Sequence, residues 1–374
     1  MKNKVCMLTS VHPPFDVRIF HKEAKSLVNS GHDVTLIAQH DEEEMVDGVK
    51  IINLQTPRNR IERMTKTVWS AYIKAVQVDA EIYHFHDPEL IPVGMRLKRL
   101  GKTVIFDSHE DVPKQLLGKP YLKKPAKIFL SRCLELYEKY SCRRFDAIVA
   151  ATPFIRDKFL KINPNTVDIN NFPIIGELAN GQVDWNIKQN HVCYVGGIGT
   201  IRGIEEMVKA MALVKTPACL QLAGSFDEKV TEARITALPS WKKVDALGYL
   251  DRKAVRNVLA HSIAGLVTLH PIINYIDALP IKMFEYMGAG IPVIASNFPL
   301  WREIIEGNKC GLCVDPLNPS EIAKAIDYIV THPAAAQQMG ENGFRAVKEQ
   351  YNWAIEEKKL LALYEKLLLQ KVRS

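Results

Sequence analysis

The sequence predicts an α/β protein of two doubly wound domains, each a parallel sheet flanked by helices. Three observations carry that expectation. Short β-rich runs alternate with helical patterns along nearly the whole chain, as βαβ units require. The alternation breaks once, over 163–190, at Asn163-Pro-Asn165, Asn170-Asn171-Phe-Pro173 and Asn180-Gly181, a composition of turns. The 374 residues suffice for two full cores, and 47% hydrophobic with 24% charged residues is the balance of an ordinary globular chain.

Taken in order, the first half offers strands over 5–10, 33–38, 49–54, 82–86, 104–108 and 147–150. Between the first two, residues 18–30 put Ile19, Ala24, Leu27 and Val28 on one helical face, and Asn29-Ser30-Gly31 closes it. A helix over 88–100 ends at Gly101, and the acidic run 41–44 reads as a solvated loop. A second series follows at 192–195, 220–223, 244–247, 264–269, 292–295 and 312–314. From residue 352 onward Ala354, Leu361, Leu363, Tyr364, Leu367 and Leu368 recur at helical spacing. The expected division is a first domain over 1–175, a linker over 176–190, a second domain over 191–352 and a terminal helix over 353–374. A ligand is expected in the cleft between the domains.

Composition excludes several classes. No apolar run approaches the ~18 residues of a membrane span. The apolar stretch after Lys4 is too short for a signal peptide and runs into His12-Pro-Pro14, so it reads as a first strand. Seven cysteines, an odd number in apolar contexts, point to a reducing cytoplasm. Cys310-Gly-Leu-Cys313 lacks a second pair or a histidine cluster and reads as packing.

The formal charge of +7 is concentrated. Over 114–144, nine Lys and Arg stand against Glu135 and Glu138, an excess equal to that of the whole chain. Arg58, Arg60, Arg63 and Lys66 form a second basic stretch. No nucleic-acid reading motif accompanies either. Residues 119–130 instead interleave cations with Tyr121, Leu122, Ile128, Phe129 and Leu130, which suits an anionic membrane surface. The expected location is therefore cytoplasmic, peripheral on the inner face of the membrane.

Three constellations could do chemistry. The second domain opens with Val195-Gly-Gly-Ile-Gly-Thr-Ile-Arg-Gly203, where Gly197 and Gly199 let backbone N–H groups approach phosphate and Arg202 adds a cation. As a dinucleotide fingerprint it is one residue too long, and the next strand ends at Leu222-Ala-Gly-Ser225 without a ribose-binding acid. The stretch 277–296 places carboxylates at Asp277 and Glu285, Lys282 three residues before the second, Pro280 where a helix opens, and Gly288 and Gly290 where it closes. Such a helix end accepts negative charge, and a carboxylate can bind a vicinal diol. In the first domain, His109, Glu110 and Asp111 follow a strand end, His84-Phe-His86 ends its neighbour, and His12, Asp16 and Arg18 line the first strand-to-helix loop.

The 277–296 segment resembles the E-x7-E region of the retaining glycosyltransferases of family 4, which have the GT-B fold, and the resemblance extends from Arg18 to the terminal helix. It implies two Rossmann-like domains facing a cleft, with the last helix crossing back to the first domain. It assigns Glu285 to the ribose hydroxyls of a nucleotide diphosphate-sugar and Asp277, where the family has Glu, to the donor sugar. Lys282, Met283 and Phe284 fall within the same donor-binding stretch, with Gly197, Gly199 and Arg202 at the diphosphate. The family carries an Arg where this chain has Gly197, a place Lys282 is expected to serve.

By the same resemblance His109 acts near the anomeric carbon. Asp16, Arg18, His86, Glu110 and Asp111 are placed on the acceptor side. The first loop lacks the family's Gly-Gly and is similar to a branch that builds bacterial surface polysaccharides. The implied activity is hexosyl transfer from a nucleotide-sugar, UDP-sugar first, to a glycan or lipid-linked acceptor hydroxyl, forming an α-linkage. No Asp-x-Asp triplet occurs, so no metal and no cofactor is expected. A nucleotide-sugar epimerase of the same fold, or a non-catalytic assembly factor, are the rival readings.

Overall fold

The computed structural model describes residues 3–118, 123–178 and 183–373. The chain divides into two compact units, Met1–Asn171 with Ile355–Ser374, and Phe172–Ala354.

The N-terminal unit holds β1 (Lys4–Leu8), β2 (Asp33–Gln39), β3 (Glu44–Val46), β4 (Val49–Leu54), β5 (Ile82–Phe85), β6 (Thr103–Ser108), β7 (Ala147–Ala150) and β8 (Thr166–Asp168). They form one sheet in the order β3-β4-β2-β1-β5-β6-β7-β8, parallel except for the β3–β4 pair. Its central strands β1, β5 and β6 are almost wholly buried, as parallel strands covered on both faces are. Phe85, Phe106, Phe145 and Phe159 pack as one aromatic group in that core.

Two strands fall where the sequence reads as loop. β3 pairs with β4 across Asp47-Gly48, both at positive φ (49° and 80°), the two-residue turn that Asp-Gly favours. β8 forms an edge beside β7 after Asn163, whose side chain donates to the carbonyls of Cys142 and Phe145 at 2.9 and 2.8 Å.

The first helix begins as a π-helical turn over Ile19–Ala24 and tightens to α-helix over Lys25–Asn29. Lys22 and Glu23 are wholly buried in that turn, and such turns often accompany functional sites. The C-terminal helix Trp353–Arg373 packs into this unit from Ile355 onward. Its buried face is Leu360, Leu363, Tyr364 and Leu367, a helical stripe. Glu356 accepts from the Asn170 N–H at 2.8 Å.

The C-terminal unit holds β9 (His191–Val195), β10 (Cys219–Ala223), β11 (Val244–Gly248), β12 (Ser262–Val267), β13 (Val293–Ser296) and β14 (Gly311–Val314). They form an all-parallel sheet in the order β11-β10-β9-β12-β13-β14. The segment expected as a linker packs onto this unit where it is described. Phe172 and Leu178 are buried, with the Phe172 ring 4.7 Å from that of Phe284, and Val183 fills the space beside Gly290. Asn180-Gly181 lies outside the described residues. Strand order reverses between β1 and β5 in one sheet and between β9 and β12 in the other, and ligands of such sheets bind beyond the strand ends there.

Candidate functional site

In the C-terminal unit, β9 leads through the glycine loop into helix α1 (Ile204–Leu213), whose N-cap is Gly203. Gly203 sits at φ +72°, and a Cβ there would lie 1.9 Å from the Thr268 carbonyl, so only glycine lets the loop close against the end of β12. Tyr194 Oη donates to the Gly197 carbonyl at 2.7 Å.

Lys282 lies in the first turn of helix α2 (Ile281–Gly288) and reaches into this loop. A Cβ on Gly196 would stand 2.7 Å from its Nζ, and the ammonium sits 3.8 Å above the Tyr194 ring. The side chain is 8% exposed, and Nζ has no hydrogen-bond partner among the described residues. Burial, then the neighbouring Arg202 charge, pushes its pKa down to about 7, with Glu285 opposing. Arg202 covers Gly197, its Nε 3.5 Å from where a Cβ would be. Two cations and a run of glycines thus converge on one loop, and the buried ammonium has no hydrogen-bond partner among the described residues.

Gly199 lies against Asp227, an acid missed at the sequence level because it falls beyond the strand end at Ser225. A Cβ on Gly199 would be 2.5 Å from its carboxylate.

Glu285 is 6% exposed, and Arg252 donates to it at 2.8 Å while also pairing with Glu177 at 2.7 Å. Its carboxylate is therefore already held by a cation from Arg252–His261, a partner outside the motif that spacing does not reveal. Asp277 lies in the turn before α2 and is not its N-cap, which is Pro280. Met283 and Phe284 are wholly buried. Their side chains are core, packed behind the turn that carries Lys282, so within the expected donor-binding stretch only their backbone is placed to meet a ligand.

In the N-terminal unit, the ends of β1, β5 and β6 gather histidines and acids. His109 Nε2 is 3.2 Å from Asp107 Oδ2, and its ring lies 5.2 Å from that of His12. His12 stands between Asp16 at 3.5 Å and Asp87 at 3.7 Å. Burial disfavours charge on His12, but these carboxylates outweigh it and raise its pKa. Asp16 also accepts from the N–H groups of Arg18 and Ile19 at 2.8 and 2.9 Å, capping the π-helical turn.

Two acceptor-side expectations are corrected here. Arg18 is 4% exposed and its guanidinium grips Asp107 at 2.9 Å and Glu23 at 3.0 Å. His86 is buried, with Nδ1 3.2 Å from Asp107. Both lie beneath the surface because β1, β5 and the π-helical turn close over them. Burial alone would raise Asp107, but Arg18 and His109 hold it well below the usual carboxylate range. Glu110 is exposed. Asp111 caps Val112–Leu117, accepting from Lys114 N at 3.2 Å, and pairs with Lys158 at 2.9 Å.

The surface helix Lys124–Cys142 exposes Phe129 (66%), Leu136 (68%) and Tyr140 beside its cations. Lys119, Tyr121 and Leu122 lie outside the described residues. Cys310 is buried with its thiol against the Ile304 and Ile305 carbonyls. No helix among the described residues is long and apolar enough to cross a membrane.

Comparison with known proteins fits this geometry. Residues 17–169 match the model for Glycosyltransferase Family 4 and residues 178–346 that for Glycosyl transferases group 1. An uncharacterized glycosyltransferase of Methanocaldococcus jannaschii is 25% identical over 94% of this chain and 95% of its own. Sucrose-phosphate synthase from Thermosynechococcus elongatus superposes with a TM-score of 0.77 at 18% identity, covering 99% of this chain and all of that one. Anabaena HepE in complex with UDP-glucose gives 0.74 at 13% identity, covering 97% of this chain and 100% of that one. With both halves matched and both sheets of the expected topology, the chain is a glycosyltransferase of the GT-B type, built on the group 1 and family 4 fold.

Proposed function

We propose that the C-terminal unit binds a nucleotide diphosphate-sugar, UDP-sugar first, and that the enzyme transfers the sugar with retention to an acceptor hydroxyl, forming an α-linkage. The carrying observation is Lys282, a buried ammonium with no hydrogen-bond partner among the described residues, beside the glycine loop and Arg202. A diphosphate is the ligand that would satisfy both cations and the loop N–H groups together. In this reading Gly197, Gly199, Arg202 and Lys282 hold the diphosphate, Glu285 the ribose and Asp277 the sugar. No metal at the diphosphate and no cofactor is needed.

The acceptor falls to the N-terminal unit, with His109 donating toward the departing phosphate and Asp16, Glu110 and Asp111 available to acceptor hydroxyls. The departing phosphate oxygen takes the acceptor's proton, so no pair of enzymic carboxylates needs to bracket the anomeric carbon as in retaining glycosidases. The mixed apolar and cationic face of Lys124–Cys142 supports a lipid-linked or polysaccharide-precursor glycan as acceptor, met at an anionic membrane surface.

Calorimetric titration with UDP and GDP in EDTA tests the donor half. Saturable binding of one nucleotide that is lost in Lys282→Met and weakened in Glu285→Ala is the expected result. Binding of NADH alone, or of no nucleotide, would overturn the reading. A donor-only incubation that yields an epimerised sugar nucleotide would replace transfer with epimerisation.

A further inference from the structure

We propose that Glu23, His84 and His86 hold a divalent metal ion of the zinc class within the core of the N-terminal unit. One ligating atom from each of Glu23, His84, His86 and Asp107 lies within 4.8 Å of all the others, and all four residues are buried. Among the described residues Glu23 Oε2 and Nε2 of both histidines lack a hydrogen-bond partner, whereas Glu23 Oε1 is ion-paired with Arg18 Nε at 3.0 Å. Buried polar atoms are ordinarily paired, so three such atoms in one place call for a common partner.

The remaining contacts fix what that partner must be. His86 Nδ1 faces the Asp107 carboxylate at 3.2 Å and must donate to it, which leaves a lone pair on Nε2. His84 Nδ1 meets Tyr364 Oη at 3.0 Å, and donation there leaves its Nε2 in the same state. His86 Nε2 and Glu23 Oε2 are 3.9 Å apart, too far for a hydrogen bond. That span suits two atoms each about 2.0–2.2 Å from one ion.

The hydrogen-bonded outer groups, Asp107 on His86 and Tyr364 on His84, are those that orient metal-binding imidazoles. Charge points the same way. Arg18 contacts both Glu23 and Asp107, and one guanidinium offsets only one of two buried carboxylates. Imidazole with carboxylate suits zinc-like ions rather than magnesium or calcium. The rival is a proton shared between Glu23 and Asp107, which would leave both Nε2 atoms bare. Such an ion would clip the π-helical turn to β5 and, through Tyr364, to the C-terminal helix. It plays no part in the donor binding proposed above.

The test uses the full chain, stripped with chelator, dialysed and titrated with Co²⁺ as a visible probe and Zn²⁺ as competitor. The proposal expects about one equivalent of Co²⁺ per chain, with visible ligand-field bands and no thiolate charge-transfer band, displaced by Zn²⁺. Glu23→Gln and His84→Gln should each weaken binding at least about 100-fold, and a Cys310→Ser, Cys313→Ser control should not. Should the variants fail to fold, the wild-type chain decides alone, because one equivalent of Zn²⁺ must then raise its Tm. A wild-type chain that takes up no stoichiometric metal and keeps its Tm, or a Glu23→Gln chain that retains full affinity, would overturn the proposal.

Discussion

Lys282 concentrates at one residue the tension that ligand binding would relieve. Its pKa stands near 7 in the free protein because burial and Arg202 disfavour the charge. A bound diphosphate would favour that charge, so the bound pKa is higher and binding takes up a proton above pH 7. Nucleotide affinity should therefore be highest below about pH 7 and fall by up to tenfold per unit above it. Lys282→Met should abolish that slope, and calorimetry across pH in buffers of different ionisation heat reads both effects.

Gly196 tests the same contact from the other side. Its φ of +135° strains any residue with a side chain, and a methyl group there would displace Lys282 Nζ, which stands 2.7 Å from the Cβ position. Gly196→Ala should cost about 1–3 kcal/mol of stability and weaken UDP binding with it, measured by denaturant melts beside titration. At this scale the sequence was informative where a motif has fixed spacing. Arg202, Lys282 and Glu285 were named from spacing and resemblance, and the fold brings Arg202 and Lys282 to one loop. Arg252, Asp227 and Glu23 were not, because each meets a partner from a distant segment, Glu23 facing His86.

Among the elements, the C-terminal helix has a polar tie that its apolar spacing gives no hint of. Tyr364 Oη meets His84 Nδ1 in a fully buried setting. Tyr364→Phe leaves that nitrogen unpaired and should cost about 1–3 kcal/mol, visible as a lowered denaturation midpoint. The helix was legible as a helix, but Ala354 of the expected stripe is exposed and Leu361 half-buried while Leu360 is buried, a difference that packing alone decides.

The helix Lys124–Cys142 makes the opposite case, because its apolar residues stay outside. Phe129→Ser with Leu136→Ser should change stability by less than about 0.5 kcal/mol per site. The pair should reduce co-sedimentation with anionic vesicles, and raised salt should weaken what remains. The short strands β3 and β8 escaped notice because each has three residues and little apolar content, too little for periodicity to register.

For the molecule as a whole, the division into two units predicts a localised response to nucleotide. At about 100 times Kd, UDP should stabilise the unit that binds it by roughly 2.7 kcal/mol. Hydrogen exchange should slow around Gly196–Gly203 and the first turn of α2, and leave β1–β8 unchanged. Stronger protection in the N-terminal unit than around Gly196–Gly203 would contradict a donor site built by the C-terminal unit.

What the sequence determined by itself is the two-unit α/β architecture, because strand and helix periods are local and each βαβ unit repeats them. It also placed the glycine loop and the helix that follows Pro280, since both depend on residues adjacent in the chain. The tertiary structure decided which charges meet. It buried Arg18 and His86, paired Glu285 with Arg252, and gathered Glu23, His84, His86 and Asp107 from separate elements. Those outcomes rest on contacts between residues up to 151 positions apart, as with Arg18 and Ile169, and such contacts follow from strand order, which no local pattern encodes.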